Sequence, residues 1–279
     1  MSSRRKNRRR LSSITLSVLG VLAIAAFLFP IIWMAITSLQ SPEQFRSGGF
    51  VFVPTMQNYI TVLSRTDFPR YYANSIIIAL SVVSVGLLLG TPAAYALGRL
   101  RFRGREDLAF WILSTRFGPP LMALIPFFLL FRTLGMIDTL PAVIVVHIAS
   151  FLPFVVWMLR GFFEEIPKEI EEAAMVDGCS RMMAFRKVIL ALVAPGVSAT
   201  AILTFIFSWN EFLLALVLTG SQAKTAPVSV YSYMGQAIGG INWGPLTATG
   251  VLVSVPVMIF ALLAQQNMVR GLTSGAVKG

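Results

Sequence analysis

The chain has few side chains that can do chemistry, and several of them stand inside apolar sequence. It holds one histidine, His147, and one cysteine, Cys179, among 279 residues. One cysteine rules out a disulfide scaffold and a cysteine-based zinc cluster, and one histidine removes most metalloenzyme and His-dependent triad chemistry. No HExxH or GxSxG motif occurs, so no catalytic set and no metal site is expected. Arg116 stands beside Phe117, Gly118, Pro119 and Pro120. In a bilayer an arginine near mid-depth costs ~2.5–3.5 kcal/mol, so it faces a cavity or a partner. Either it pairs with Glu211 or a neighbouring chain, or snorkels to an interface, or its guanidinium grips an anionic or richly hydroxylated ligand. Trp209, Asn210 and Glu211 are consecutive. A carboxylate and an amide beside an indole suit a pyranose, whose hydroxyls bond the polar groups while its C–H face packs on the ring. The same trio can equally stitch helices together. His147 reads as a helix–helix hydrogen-bond partner, with lining of a pathway as the alternative. Cys179, next to Gly178, reads as a small residue at a turn.

The elements that must position these groups follow from composition. Hydrophobic residues make up 56% of the chain and charged ones 13%, against roughly 25% charged in a soluble domain. A water-soluble fold and a disordered chain are both excluded. Six apolar stretches of spanning length emerge, about 11–39, 72–97, 108–131, 140–159, 197–218 and 245–268. Lipid-exposed backbone must satisfy its own hydrogen bonds, so all six are expected as helices. Internal prolines, among them Pro30, Pro92, Pro126, Pro153 and Pro256, should bend them. The period-two alternation of barrel strands is missing. The expectation is an all-α membrane protein with six transmembrane helices. Its first apolar run is too long for a signal peptide.

Charge sets the orientation. Seventeen of the 23 Lys and Arg residues fall before the first span, between the second and third, between the fourth and fifth, and after the sixth. Arg46, Arg65, Arg70, Arg132 and Lys224 lie on the other side. The positive-inside rule then puts the basic segment 1–10 and the tail 269–279 in the cytoplasm. The net charge of +11 flanks spans instead of forming one patch. It therefore speaks for contact with anionic membrane lipid and against nucleic acid.

One cytoplasmic connection, residues 160–196, is far longer than two neighbouring helices need. Pro167 suits the first position of a helix over Lys168–Asp177, and Gly178 supplies a left-handed stop. Ser180 can cap a second helix, Arg181–Leu192, with Met182, Phe185 and Ile189 on one face. The product is a helix–turn–helix at the membrane surface. It is either a solvated hairpin or a dock for a cytoplasmic partner.

Glu172-Ala173-Ala174, three residues, Gly178, nine residues, then Val188-Ile189-Leu190 resembles the EAA signature of bacterial ABC importer permeases. Ile166-Pro167 and Asp177-Gly178 belong to the same pattern, which closes on a proline where this chain has Ala191. Ala93-Ala94-Tyr95-Ala96-Leu97 with Arg99, the stretch Ser208–Phe212 and the ending Gly271–Gly279 look like the carbohydrate-type, MalG-like branch of that family. The resemblance covers essentially the whole chain. It implies a cell inner-membrane subunit that pairs with a second permease subunit. Two ATPase subunits would dock on the EAA loops through Glu172, Ala173, Ala174, Asp177, Gly178, Met182 and Phe185. An extracytoplasmic binding protein would deliver a sugar-like solute. The implied pathway residues are Arg116, His147, Trp209, Asn210 and Glu211. This chain has no GxxxxGK[ST] loop, so ATP and Mg would be bound by the partner ATPase and no cofactor by the chain itself. The loops 40–70, with Phe50, Phe52 and Tyr59, and 219–244, with Lys224, Tyr231 and Tyr233, are candidate contacts for the binding protein. A self-contained secondary carrier is the alternative, though it would show inverted repeats and more intramembrane ionisable groups.

Overall fold

A computed structural model describes residues 2–47, 53–118, 120–235 and 242–275, and side chains over 16–45, 53–118, 122–233 and 242–263. The side chains of Arg4–Arg10, Phe50, Phe52, Pro119 and the ending motif Gly271–Gly279 lie outside the described residues. Every regular element among the described residues is helical, and five helices are long and apolar enough to cross a membrane. The chain forms two compact units.

The first unit holds residues 1–67 and 232–252. It contains α1 (Ser2–Ser38), α2 (Pro42–Ser47) and α3 (Gln57–Arg65). Buried Asn58 on α3 donates to the Ser38 and Gln40 carbonyls, both at 2.8 Å, and so satisfies the orphan carbonyls where α1 ends. Tyr59 shares a 2.7 Å hydrogen bond with Ser38.

The second unit holds residues 68–231 and 253–279. Its helices are α4 (Phe68–Arg99), α5 (Arg105–Ser114), α6 (Pro120–Thr133), α7 (Leu140–Glu165), α8 (Lys168–Val176), α9 (Arg181–Ala184), α10 (Leu190–Asn210) and α11 (Leu213–Leu218). Helix α12 (Ala226–Gly235) and α13 (Trp243–Gly275) each belong partly to both units.

Helix α4 lies along α7, and α10 packs on both. The cause is a stripe of small residues on α4, Gly86, Gly90, Ala94 and Gly98, spaced four apart so that they share one face. A Cβ on Gly90 would sit 2.6 Å from Val155 Cγ1 on α7. Gly90→Val is therefore expected to push the two helices apart and lower the thermal midpoint of the purified chain by several degrees. Gly20→Val, where a Cβ meets nothing within 4 Å, should leave it within a degree. An unchanged midpoint for Gly90→Val would contradict the close approach.

Two clusters fill the second unit. Ala94, Tyr95, Leu159, Phe163, Phe185 and Ile189 form one, towards the α8–α9 end. Ile78, Val82, Val143, Val146, Phe151 and Leu218 form the other.

Four boundaries differ from the sequence expectation. The third span, expected as one helix over 108–131, is divided: α5 stops at Ser114 and α6 starts at Pro120. Proline has no N–H to donate and disfavours helix in the residue before it, so Gly118-Pro119-Pro120 ends the run. The fourth span continues to Glu165, so the connection expected over 160–196 begins later. Arg181–Asn210 is one 30-residue helical run, and the expected second arm is the start of the fifth span. Within it Phe185–Ile189 is a π turn. Its extra residue per turn rotates the face, so Met182 points outward at 58% exposure while Phe185 and Ile189 are buried. Finally, α10 stops at Asn210, and the expected fifth span is completed by α11.

Candidate functional site

The hairpin is built as its residues dictate. Pro167 is the N-cap of α8, one position before the expected one. Glu169 and Glu171 lie in the first turn of α8, where carboxylates suit the helix dipole. Gly178 has φ of +91°. It turns the chain sharply while its N–H bonds the Met175 carbonyl and the Cys179 N–H bonds that of Ala174. The Ser180 hydroxyl then accepts from Met183 N at 3.3 Å and caps α9. Glu172, Ala173, Asp177, Gly178 and Met182 are exposed, whereas Ala174 and Phe185 are buried. Phe185 packs against Tyr95 and Phe163, with ring centroids 4.5 and 6.2 Å away. The outward edge is completed by Val176, 86% exposed, and Met183. Val176, Met182 and Met183 thus leave large apolar side chains exposed on the hairpin.

Beneath that edge, Arg99 at the end of α4 pairs with Glu171 at 2.9 Å, the side chains being 3% and 10% exposed. Tyr95 donates to the other Glu171 oxygen at 2.5 Å. Arg160 joins Glu106 of the α5 first turn to Glu164, both at 2.7 Å.

Further along α7 and α10 the buried His147 meets Ser208 through Nδ1 at 3.0 Å, and its Nε2 lies 3.4 Å from Glu211. Glu211 stands in the break after α10, extended at φ −67°, ψ 117°. Its carboxylate accepts from Leu214 N and Ala215 N, both at 3.0 Å, and thereby starts α11. Trp209 is 1% exposed. It donates to the Val253 carbonyl at 3.0 Å and is flanked by Tyr72 and Phe205, so neither ring face is free for a ligand. Asn210 is exposed, and its amide donates to the Ile206 carbonyl. Arg116 does not reach Glu211. It donates to the Ser150 carbonyl at 2.8 Å, and its guanidinium carbon lies 5.1, 5.7 and 5.9 Å from the rings of Phe151, Phe207 and Phe154. Three aromatic faces supply the cation with a partner in an apolar setting. The structure therefore brings His147, Ser208 and Glu211 together and sets Trp209 against Tyr72, Phe205 and Val253. It holds Arg116 over Phe151, whose ring meets that of His147 edge-on at 5.8 Å.

At the opposite end of the second unit from the hairpin, Asp138 adopts φ of +61°. Its carboxylate accepts from Gly220, Ser221, Gln222 and Ala223 N–H at 2.8–3.1 Å. Asn74 donates to the Gln222 and Lys224 carbonyls, and Ser75 accepts from Ala226 N. The loop after α11 is thus rigidly cast. Partial burial pushes the Asp138 carboxyl up, but the four backbone N–H groups outweigh it and hold it below the ordinary value of 3.8. A depressed carboxyl stabilises the folded loop above that ordinary value, and the contribution is lost as pH falls through the lower, folded one. At neutral pH, Asp138→Asn is expected to speed amide exchange of residues 220–223 by at least tenfold. Unchanged exchange there would remove Asp138 as the clamp.

Sequence reasoning did not single out Glu171 or Asp138. The nearest signal for the first is Tyr95 and Arg99, four apart on α4 and so on one face at its polar end. The second depends on partners more than 80 residues away, which no local pattern reveals.

Five helices of spanning length and an anchored hairpin with an exposed apolar edge describe a multi-pass membrane protein. Residues 83–274 match the family described as "binding-protein-dependent transport system inner membrane component". The chain is 37% identical to the trehalose transport system permease protein SugB of Mycobacterium tuberculosis over 265 residues, 94% of this chain and 97% of that one. It is also 37% identical to the trehalose/maltose transport system permease protein MalG of Thermococcus litoralis, over 95% and 96% of the two chains. A chain of a bacterial ABC transporter involved in the import of the acidic polysaccharide alginate superposes with a TM-score of 0.78 at 28% identity, covering 92% of this chain and 96% of that one. The chain belongs to the binding-protein-dependent transport system inner membrane component family, the permeases of ABC importers.

Proposed function

We infer that this chain carries a sugar across the cytoplasmic membrane as one of two permease subunits, with both termini in the cytoplasm. ATPase subunits dock on the hairpin formed by α8 and α9, bind ATP and Mg, and hydrolyse the nucleotide. The observation that carries this reading is the hairpin. Ala174 and Phe185 root it in the core while Glu172, Ala173, Val176, Asp177, Met182 and Met183 face outward, the arrangement a helix needs to seat in a partner's groove. The basic residues at the hairpin end support the orientation. The names of the trehalose and maltose relatives support a sugar. Asn210 and Arg116, both exposed, are the groups offered to the pathway. His147 and Glu211 hold the break that presents Asn210, and Trp209 anchors the end of α10. Arg116 is held separately by the Ser150 carbonyl and its ring of phenylalanines. The loop cast by Asp138 is a preformed contact for the binding protein.

Proteoliposomes containing the complex tagged on this chain test the reading with labelled trehalose and maltose. Uptake of at least one should require internal ATP and the external binding protein, and should persist with ionophores present. Uptake by this chain alone, driven by a proton or sodium gradient and abolished by ionophores, would make it a secondary carrier.

A further inference from the structure

Helix α8 has two buried residues, Glu171 and Ala174. Alanine offers little grip, and although the first arm of the hairpin also packs on α9 and the following π turn, it is tethered to α4 mainly through a carboxylate. That carboxylate is fully engaged by α4: Arg99 Nε donates to Oε2 at 2.9 Å and Tyr95 donates to Oε1 at 2.5 Å. The rest of the guanidinium reaches the link between α7 and α8, with Nη1 on the Ile166 carbonyl at 2.6 Å and Nη2 on that of Pro167 at 3.3 Å. Charge-assisted and forked bonds of this kind are the most directional a protein makes. A buried ion pair adds little net stability over an apolar pair, so its distinctive effect is to fix one geometry. Apolar contacts between α8 and α4 would let the arm slide. The clasp makes α8 move with the end of α4, and α4 is locked to α7 by its small-residue stripe.

The geometry points to Arg99, Glu171 and Tyr95 as positioning residues that pass displacement of the docked hairpin into α4. They do not touch the partner themselves. This rests on the reading that the hairpin docks an ATPase.

The test uses the tagged complex purified from its native membrane, with Cys179→Ser and a reporter cysteine at Ala73, exposed near the far end of α4. Maleimide labelling of the reporter is timed with and without ATP, Mg and vanadate, and ATPase subunits per chain are counted by mass spectrometry. With the clasp intact, trapping should change the labelling rate at least threefold. In Glu171→Gln the change should fall below 1.5-fold with the ATPase complement unaltered. Tyr95→Phe, which deletes one hydroxyl and keeps the ring packing, should give an intermediate change. A full change in Glu171→Gln, or none with the clasp intact, overturns the proposal. Loss of ATPase from Glu171→Gln alone also overturns it, because the clasp would then be a support for the dock. Absence of ATPase from the unaltered complex instead overturns the docking reading.

Discussion

Gly178→Val is expected to reduce ATP-driven uptake by at least tenfold while the spanning helices keep their thermal midpoint. A Cβ at Gly178 would meet nothing within 4 Å, so crowding is not the cause. The φ of +91° is the cause. Left-handed backbone costs an ordinary L residue about 1–2 kcal/mol, and a β-branched one is a genuine outlier there. Since 1.4 kcal/mol is a factor of ten, valine will populate a different turn, and the Gly178 and Cys179 N–H bonds to Met175 and Ala174 will be lost. The two arms then meet their partner at the wrong angle. Gly178→Ala should lose less. Uptake at the normal rate by Gly178→Val, measured in the same vesicles, would show that the turn does not set the docking geometry.

The second large effect is at the break after α10. Glu211→Ala removes the acceptor of two α11 N–H groups and the carboxylate facing buried His147. Loss of a helix cap costs about 1 kcal/mol and an unpaired buried polar group about 1–3. A destabilisation of about 2–4 kcal/mol is expected for the purified chain. Glu211→Gln, whose amide oxygen still accepts, should recover part of it. Because His147 and Glu211 share one network, His147→Ala and Glu211→Ala should be non-additive in a double-mutant cycle. Strict additivity would mean that the 3.4 Å contact carries no energy.

The helices and the hairpin were legible because their signals are local. Long uncharged runs identified the spans, and Pro167, Gly178 and Ser180 punctuated the hairpin within about a residue of the observed elements. The end of α7 was not, since a helix that carries Arg160 and Glu164 past the apolar stretch reads as polar loop, and nothing local showed that the arm expected over Arg181–Leu192 runs on to Asn210. The division of the third span had its signal in Gly118-Pro119-Pro120, which reads equally as a bend. Glu171 and Glu172 are chemically identical neighbours, and only helix phase against α4 makes one buried and the other exposed. The same holds for Trp209, where sequence gives an indole beside polar groups but not that both its faces are covered. Position along the chain identifies residue types, and the packing of distant helices decides which of them meet water.

The most direct measurement is site-directed cross-linking in the native membrane, in a Cys179→Ser background. Val176→Cys and Met182→Cys lie on the outward edge of the hairpin, while Leu88→Cys, at a position 73% exposed on α4, is the control. A short bifunctional maleimide should join the two hairpin variants, and not the control, to an ATP-hydrolysing subunit identified by mass spectrometry. If both hairpin cysteines are labelled yet no ATPase is captured, the hairpin is not the dock.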